Sequence, residues 1–348
     1  MEKIAFIYGD TFIYWNPIIL ALAAVAAIGF YAAVHAKKKG GVFAAAVSIA
    51  VSIALSIPLA RLIHWYCRSA SYESFETAMT DYSRGGYALA GVFFGCLLAA
   101  CLTRLVCISY SLPQMLDSMA IGGSVGIAVG RLACVFNTAD RGMIVPDEVG
   151  FPFAYPVVNA VSGAVENRLA TFMIQSMLAG AIAVLLLAWM LLCALRRKKA
   201  PDGDIFMVFL LAYGAGQIIC DSTRYDSLFL RSNGFVSIVQ ILGLVALLIP
   251  IIWFSVRLVR NRKMKLWYYP VWVAIVGLLG LGGYMEYYVQ RHGNEAVLAY
   301  SVMGSCLVVV VILGLVIRFV STKKIHTRRP PRFAENNNDT QQKNQGAV

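Results

Sequence analysis

Nine stretches of this chain are apolar over lengths that cross a bilayer: roughly residues 17–36, 42–66, 86–108, 115–136, 170–194, 205–222, 235–256, 269–290 and 297–319. A membrane-spanning helix needs about 20 such residues, whereas a barrel strand needs about 10. In hydrocarbon the backbone must satisfy its own hydrogen bonds, so runs of this length become helices. The expected fold is therefore all-α, a polytopic membrane bundle of about nine helices. Composition agrees, with 59% hydrophobic and 14% charged residues against about 25% charged in average soluble domains.

A net charge of +12 in a soluble chain would suggest nucleic acid, but here its placement speaks for topology. Basic clusters follow alternate spans: Lys37-Lys38-Lys39, Arg196-Arg197-Lys198-Lys199, Arg257 to Lys265, and Lys323 to Arg332. The other loops carry only scattered arginines, among them Arg68, Arg141, Arg168 and Arg224. Lys and Arg concentrate in cytoplasmic loops, which sets the N-terminus outside and the C-terminus in the cytoplasm. No nucleic-acid partner is expected, and contact with anionic membrane lipids is a minor role for the same charges. The cysteines (Cys67, Cys96, Cys101, Cys107, Cys134, Cys193, Cys220 and Cys306) show no CxxC pair or metal spacing. They read as small apolar residues, and neither metal nor cofactor is expected. The opening MEKIAFIYGDTF lacks the order of regions of a cleavable signal peptide.

The strongest charge run divides the chain into a seven-span body at 1–265 and a helix pair at 266–322. A basic, then polar tail at 323–348 has the composition of a disordered segment. Two segments on the expected outer face, 67–85 and 137–169, are long enough to carry structure and function.

Ionisable residues near bilayer depth are functional candidates by default. Arg61 and His64 lie at the outer end of the second span, with a snorkelling arginine as the plainer explanation. Gly85 to Gly91 opens the third span with small residues suited to close helix packing. The fourth span ends in GRLACVFNTADRG, Gly130 to Gly142. Asp117 in the same helix lies about 21 Å from Arg131 at a rise of 1.5 Å per residue. Arg131 must therefore find its anion elsewhere, on another helix or in a phosphate, and Asn137 adds donors and an acceptor as the helix ends. In the sixth span Tyr213, Gln217, Asp221 and Arg224 fall within about 80° of one helical face. Such a stripe must face protein or water, as an internal Asp–Arg pair or as the wall of a polar pocket. Outer arginines with few carboxylates suit a phosphate, because guanidinium presents forked donors to it.

These motifs resemble those of the bacterial phosphatidylglycerol–prolipoprotein diacylglyceryl transferases, from about Tyr14 to Phe254. Leu59-Ala60-Arg61-Leu62 is similar to the family's Gly-Ala-Arg-Leu. Asp117 with Gly130-Arg131 matches its Asp thirteen residues before Gly-Arg. GRLACVFNTADRG resembles its Gly-Arg-Ile-Gly-Asn-Phe-Ile-Asn-Gly-Glu-Leu-x-Gly, with Gly130, Arg131, Asn137 and Gly142 in register. YGAGQIICDSTR resembles its Tyr-Gly-x-x-Arg-Phe-x-x-Glu-Phe-x-Arg, with Tyr213, Gly214 and Arg224 matching and Asp221 replacing Glu. Ser237 and Gln240 match its later Ser-x-x-Gln. The chain departs at the family's His-Gly-Gly, which reads Ala90-Gly91-Val92. It departs again at Cys134 for Asn, Ala139 for Glu, Gln217 for Arg, and in the two added C-terminal spans.

The resemblance implies a multi-pass protein of the bacterial cytoplasmic membrane that takes part in lipoprotein maturation. Its partners would be phosphatidylglycerol and the lipobox segment of a prolipoprotein, whose cysteine thiol receives diacylglyceryl as glycerol phosphate leaves. Arg131, Asp221 and His64 are the expected catalytic residues. Arg61, Gly130, Asn137, Gly142, Tyr213, Gln217 and Arg224 are the expected substrate contacts. His64, Asp221 and Asp140 remain open as the base. Two other readings stand beside this one: a relative that binds phospholipid or lipoprotein without turnover, and a transporter of an anionic solute.

Overall fold

The computed structural model describes residues 4–9, 11–38, 40–81, 85–108, 110–159, 162–197, 200–230, 233–261, 266–292 and 295–322. The tail read as disordered, and parts of every basic cluster, lie outside the described residues. A short hairpin, β1 (Ile4–Tyr8) with β2 (Thr11–Tyr14), leads into α1 (Trp15–Lys37) and α2 (Val42–Cys67). A small helix, α3 (Phe75–Thr80), capped by Ser74, fills the following segment. Then come α4 (Leu89–Val106) and α5 (Leu112–Arg131), the latter extended to Phe136 by a 3-10 turn. An antiparallel hairpin, β3 (Ala154–Val158) with β4 (Val165–Leu169), structures the second long segment. The chain continues through α6 (Thr171–Leu195), α7 (Asp204–Ser222), a short hairpin of β5 (Phe229–Leu230) and β6 (Asn233–Ser237), and α8 (Ile238–Arg260). It ends with α9 (Tyr269–His292) and α10 (Ala296–Thr322).

Among the described residues, nine helices are long and apolar enough to cross a membrane. The protein is a polytopic membrane helix bundle. Its outward faces stay apolar, with Val25, Leu105, Val184 and Val276 among the exposed side chains, because lipid rather than water surrounds them.

α7 is the central helix: 61% of its apolar window is buried, against 33% or less in every other span. One apolar cluster joins it to α1, α5 and α6 through Ile121, Ile182, Leu186 and Phe209. A second joins it to α8, α9 and α10 through Leu211, Leu247, Phe254, Met303 and Val310. α2 and α4 pack on each other so closely that a side chain at Gly91 would meet the Ala60 backbone, and one at Gly95 the Ser56 backbone. Such small-residue contacts replace the hydrophobic effect as the means of helix association in lipid.

Candidate active site

The C-terminal ends of α2, α5, α7 and α9 and the N-terminal ends of α4, α6, α8 and α10 meet at one end of the bundle, opposite Lys38, Arg196 and Arg257. Arg131, the last residue of α5, pairs with Asp140 nine residues later. Arg131 thus finds its anion within its own motif, where the sequence pointed to another helix or a phosphate. Asp140 also receives Arg224 Nη2 at 2.6 Å, so one carboxylate bridges two guanidinium groups from distant segments. Arg224 further contacts Asp226 at 2.9 Å and Asp221 at 3.6 Å, and the Asp140 N–H donates to Asp226 at 2.9 Å. Three carboxylates therefore face two arginines, which corrects the expectation of few carboxylates here.

Asp140 is 5% exposed. Burial alone would raise its pKa, but Arg131 and Arg224 outweigh burial and hold it below the usual carboxylate range. The same carboxylate holds the Arg224 pKa above its ordinary value against the opposing effect of burial.

The backbone explains how these groups converge. Asn137 Oδ1 accepts the Ala139 N–H at 2.9 Å, closing a tight turn after the helix. Asp140 then adopts a left-handed φ of +56°. That conformation is uncommon for residues other than glycine and most accessible to Asn and Asp. The turn carries Asp140, the neighbour of Ala139, onto Arg131 and Arg224. Gly142 pairs in an isolated bridge with Arg224. A Cβ at Gly142 would lie 2.9 Å from Leu169 Cβ and 3.1 Å from Thr223 O, so only glycine permits this approach. Gly142 is enclosed by chain rather than open to a substrate, and Gly130 faces Ala23 of α1.

The stripe expected to run from Tyr213 to Arg224 ends sooner. Tyr213, Gln217 and Asp221 are 9% or less exposed, but α7 stops at Ser222 and Arg224 lies in the following turn. The Tyr213 ring stacks on Phe209 at 5.2 Å. Gln217 Oε1 accepts from Gln175 Nε2 at 3.4 Å. Ser237 Oγ donates to Asp221 and, as the cap of α8, accepts the Gln240 N–H at 3.0 Å.

Arg61 is 1% exposed, which corrects the snorkelling explanation. It donates to the carbonyls of Gly85 and Asp81, the latter at 2.6 Å, between the rings of Tyr72 and Tyr87. It thereby ties the segment before α4 to α2. His64 shares a 2.9 Å hydrogen bond with the Tyr72 hydroxyl and lies against Gly86. Arg68 Nη2 donates to Asp226 O at 2.8 Å, joining this rim to the Arg224 turn.

Four contributors were not among the site residues expected from the sequence. Arg141, 1% exposed, donates to the carbonyls of Cys134 and Asn137 at 2.9 and 2.7 Å, between the rings of Tyr155 and Phe172 at 4.4 Å each. Burial lowers its pKa, with nearby acidic groups opposing. Asp226 orients Arg224 from two residues away. The Cys134 thiol donates to Asp140 at 3.4 Å. Glu286 arrives from α9 to accept from Gln240 and Ser222. A carboxylate inside an apolar span was the available signal for Glu286, whereas nothing local in the sequence marks Asp226 as a partner of Arg224.

Residues 3–256 match the model of the prolipoprotein diacylglyceryl transferase family. The phosphatidylglycerol–prolipoprotein diacylglyceryl transferase of Acaryochloris marina is 26% identical over 57% of this chain and 70% of its own length. That of Bacillus licheniformis is 24% identical over 76% of this chain and 96% of its own length. That of Gloeobacter violaceus is 30% identical over 51% of this chain and 64% of its own length. With the family pattern spanning seven of the nine long helices and the polar end of the bundle, this chain belongs to the prolipoprotein diacylglyceryl transferase family.

Proposed function

We propose that the protein matures bacterial lipoproteins by transferring the diacylglyceryl group of phosphatidylglycerol to the lipobox cysteine thiol of a prolipoprotein, at the outer side of the cytoplasmic membrane. Within a chain of this family, the observation that carries the reading furthest is the convergence of Arg131 and Arg224 on Asp140. Two preoriented guanidinium groups at the membrane boundary suit a lipid phosphate whose acyl chains remain in the bilayer.

In the reaction a sulfur–carbon bond forms at the glycerol carbon and the carbon–oxygen bond to phosphate breaks. Glycerol phosphate leaves, and the thiol proton passes to a base. Arg131 and Arg224 stabilise the charge that grows on the departing phosphate. The phosphate displaces Asp140 from at least one of them, since three carboxylates otherwise neutralise the pair. His64 is the base in this reading: its imidazole stands at the rim against the Tyr72 hydroxyl and has a ring nitrogen that can take up a proton, whereas Asp140 and Asp221 are occupied by guanidinium and hydroxyl donors. Arg61 shapes the rim between α2 and α4, Asn137 closes the turn after α5, and Tyr213 flanks Arg131 from the middle of α7.

The test is purified protein with phosphatidylglycerol and a lipobox peptide, scored for the thioether product by mass. Product that disappears in Arg131→Ala and Arg224→Ala supports the reading; a folded wild type that yields none overturns it. A second reading, lipid binding without turnover, is favoured by Gln217 engaging Gln175 where the family pattern has Arg. Bound phosphatidylglycerol without product would select that reading.

A further inference from the structure

The family pattern ends at residue 256, yet the polar end of the bundle does not. α9 and α10 follow it, and both reach this end. Tyr300 of α10 donates to the carbonyl of Ser222, the last residue of α7, at 3.1 Å. Glu286 of α9 accepts from the hydroxyl of the same Ser222 and from Gln240 Nε2 at 2.9 Å. Gln290, one turn on, donates to Glu286 at 2.8 Å.

Gln240 is the third residue of α8 and half of a capping box. Its Oε1 accepts the Ser237 N–H at 3.0 Å, while its own N–H donates to Ser237 Oγ at 3.0 Å. Ser237 Oγ donates in turn to Asp221. From Asp221 the contacts pass to Arg224, then to Asp140 and Arg131. An unbroken polar chain thus runs from the added helix pair to the two arginines. A cavity of about 30 Å³, lined by Asp221, Arg224, Ser237, Gln240 and Glu286 among others, lies along it.

We infer that Glu286 is a positioning residue of the transferase site: it fixes Gln240, and through Ser237 and Asp221 it sets the aim of Arg224. The inference rests on the proposed transferase reading and extends it to helices outside the family pattern. Its physical basis is that a capping-box glutamine has one free end. Held at Nε2 by a carboxylate, the amide keeps one orientation and so keeps the Ser237 hydroxyl turned to Asp221. Released, the Gln240 side chain and the Ser237 hydroxyl gain rotamers. Arg224 then loses orientation where leaving-group charge develops, so turnover suffers while ground-state lipid binding does not.

The experiment measures thioether formation by full-length wild type, Glu286→Ala, Glu286→Gln, Ser237→Ala and the double variant Glu286→Ala/Ser237→Ala. Glu286→Ala should lower kcat about tenfold with KM nearly unchanged, the signature of an interaction needed in the transition state. Glu286→Gln, which keeps the volume and one acceptor, should fall between. The double variant should be no slower than Ser237→Ala, because members of one hydrogen-bond chain are not additive. Arg318→Gln, at the opposite end of α10, serves as the docking control. It should lower thermal stability and leave kcat as in wild type. An unchanged kcat in both Glu286 variants overturns the inference. So does full additivity with Ser237→Ala, or a loss in Arg318→Gln equal to that in Glu286→Ala, which would reduce the effect to helix docking. No product from wild type overturns the transferase reading itself, and the positioning role with it.

Discussion

Asp140 shows how one side chain can hold a site in two ways, by backbone shape and by charge. Its left-handed φ turns the chain after Asn137, and its carboxylate joins Arg131 to Arg224. Removing one member of a buried ionic group costs about 3–5 kcal/mol, because the charges left behind have lost their solvent. Asp140→Asn keeps the turn, since Asn tolerates the same conformation, and should destabilise the protein by about 3 kcal/mol on that basis. The pH dependence follows from the direction of the shift. A carboxylate whose pKa is lowered on folding stabilises above its unfolded value, near 3.9, and loses that contribution as pH falls through the lower folded value. Thermal unfolding in detergent should therefore separate wild type from Asp140→Asn at pH 7 and progressively less below about pH 4. A gap that widened with acid would contradict the assignment. At this scale the sequence was half legible. GRLACVFNTADRG announced a polar cluster, and Arg131 and Asn137 stood in register with a family motif. That Asp140 would close on Arg131 depended on a single left-handed residue, and alternation of polar letters carries no sign of φ.

The seat of α2, the helix that carries Arg61 and His64, is set by the glycines of α4. Gly91 and Gly95 lie one turn apart on α4 and face Ala60 and Ser56 of α2. The Ala88 N–H donates to Ala60 O at 3.1 Å, extending the contact to the start of α4. Gly95→Leu should push the two helices apart and displace Arg61 and His64, with overpacking of a tight contact costing about 1–3 kcal/mol or more. The measurable outcome is a lower folded yield and lost thioether formation. Gly277, with nothing within 4 Å of its Cβ direction, is the matched control, and Gly277→Leu should behave as wild type. The small residues from Gly85 to Gly91 did suggest close packing from sequence alone. The partner helix did not follow from them, because small residues mark an interface without naming its other side.

Across the whole molecule, spans and their number were legible because hydrocarbon leaves an apolar run only one backbone solution. Which helix lies at the centre was not, since α7 is no more apolar than its neighbours. α7 is held at its other end by carboxylates. Asp117 of α5 accepts the N–H groups of Gly203 and Phe206 at 2.9 Å each and pairs with Lys38 at 2.5 Å. Asp204, fully buried at the first position of α7, receives Arg257 of α8 at 2.6 Å and Arg318 of α10 at 3.1 Å. Arg318 also covers the Trp189 ring at 4.0 Å. One carboxylate thus ties the family body to the added helices, and its removal is not equivalent to the removal of one arginine. Asp204→Asn leaves two cations facing each other in a confined space and should cost about 3–5 kcal/mol. Arg318→Met leaves Asp204 paired with Arg257 and keeps an apolar stem on Trp189, so its cost should be smaller. Adding Arg318→Met to Asp204→Asn removes one of the stranded cations and should recover part of the loss. Thermal unfolding of the two single variants and the double variant reads this directly. A double variant less stable than Asp204→Asn alone would mean that Arg318 acts through packing on Trp189 rather than through Asp204.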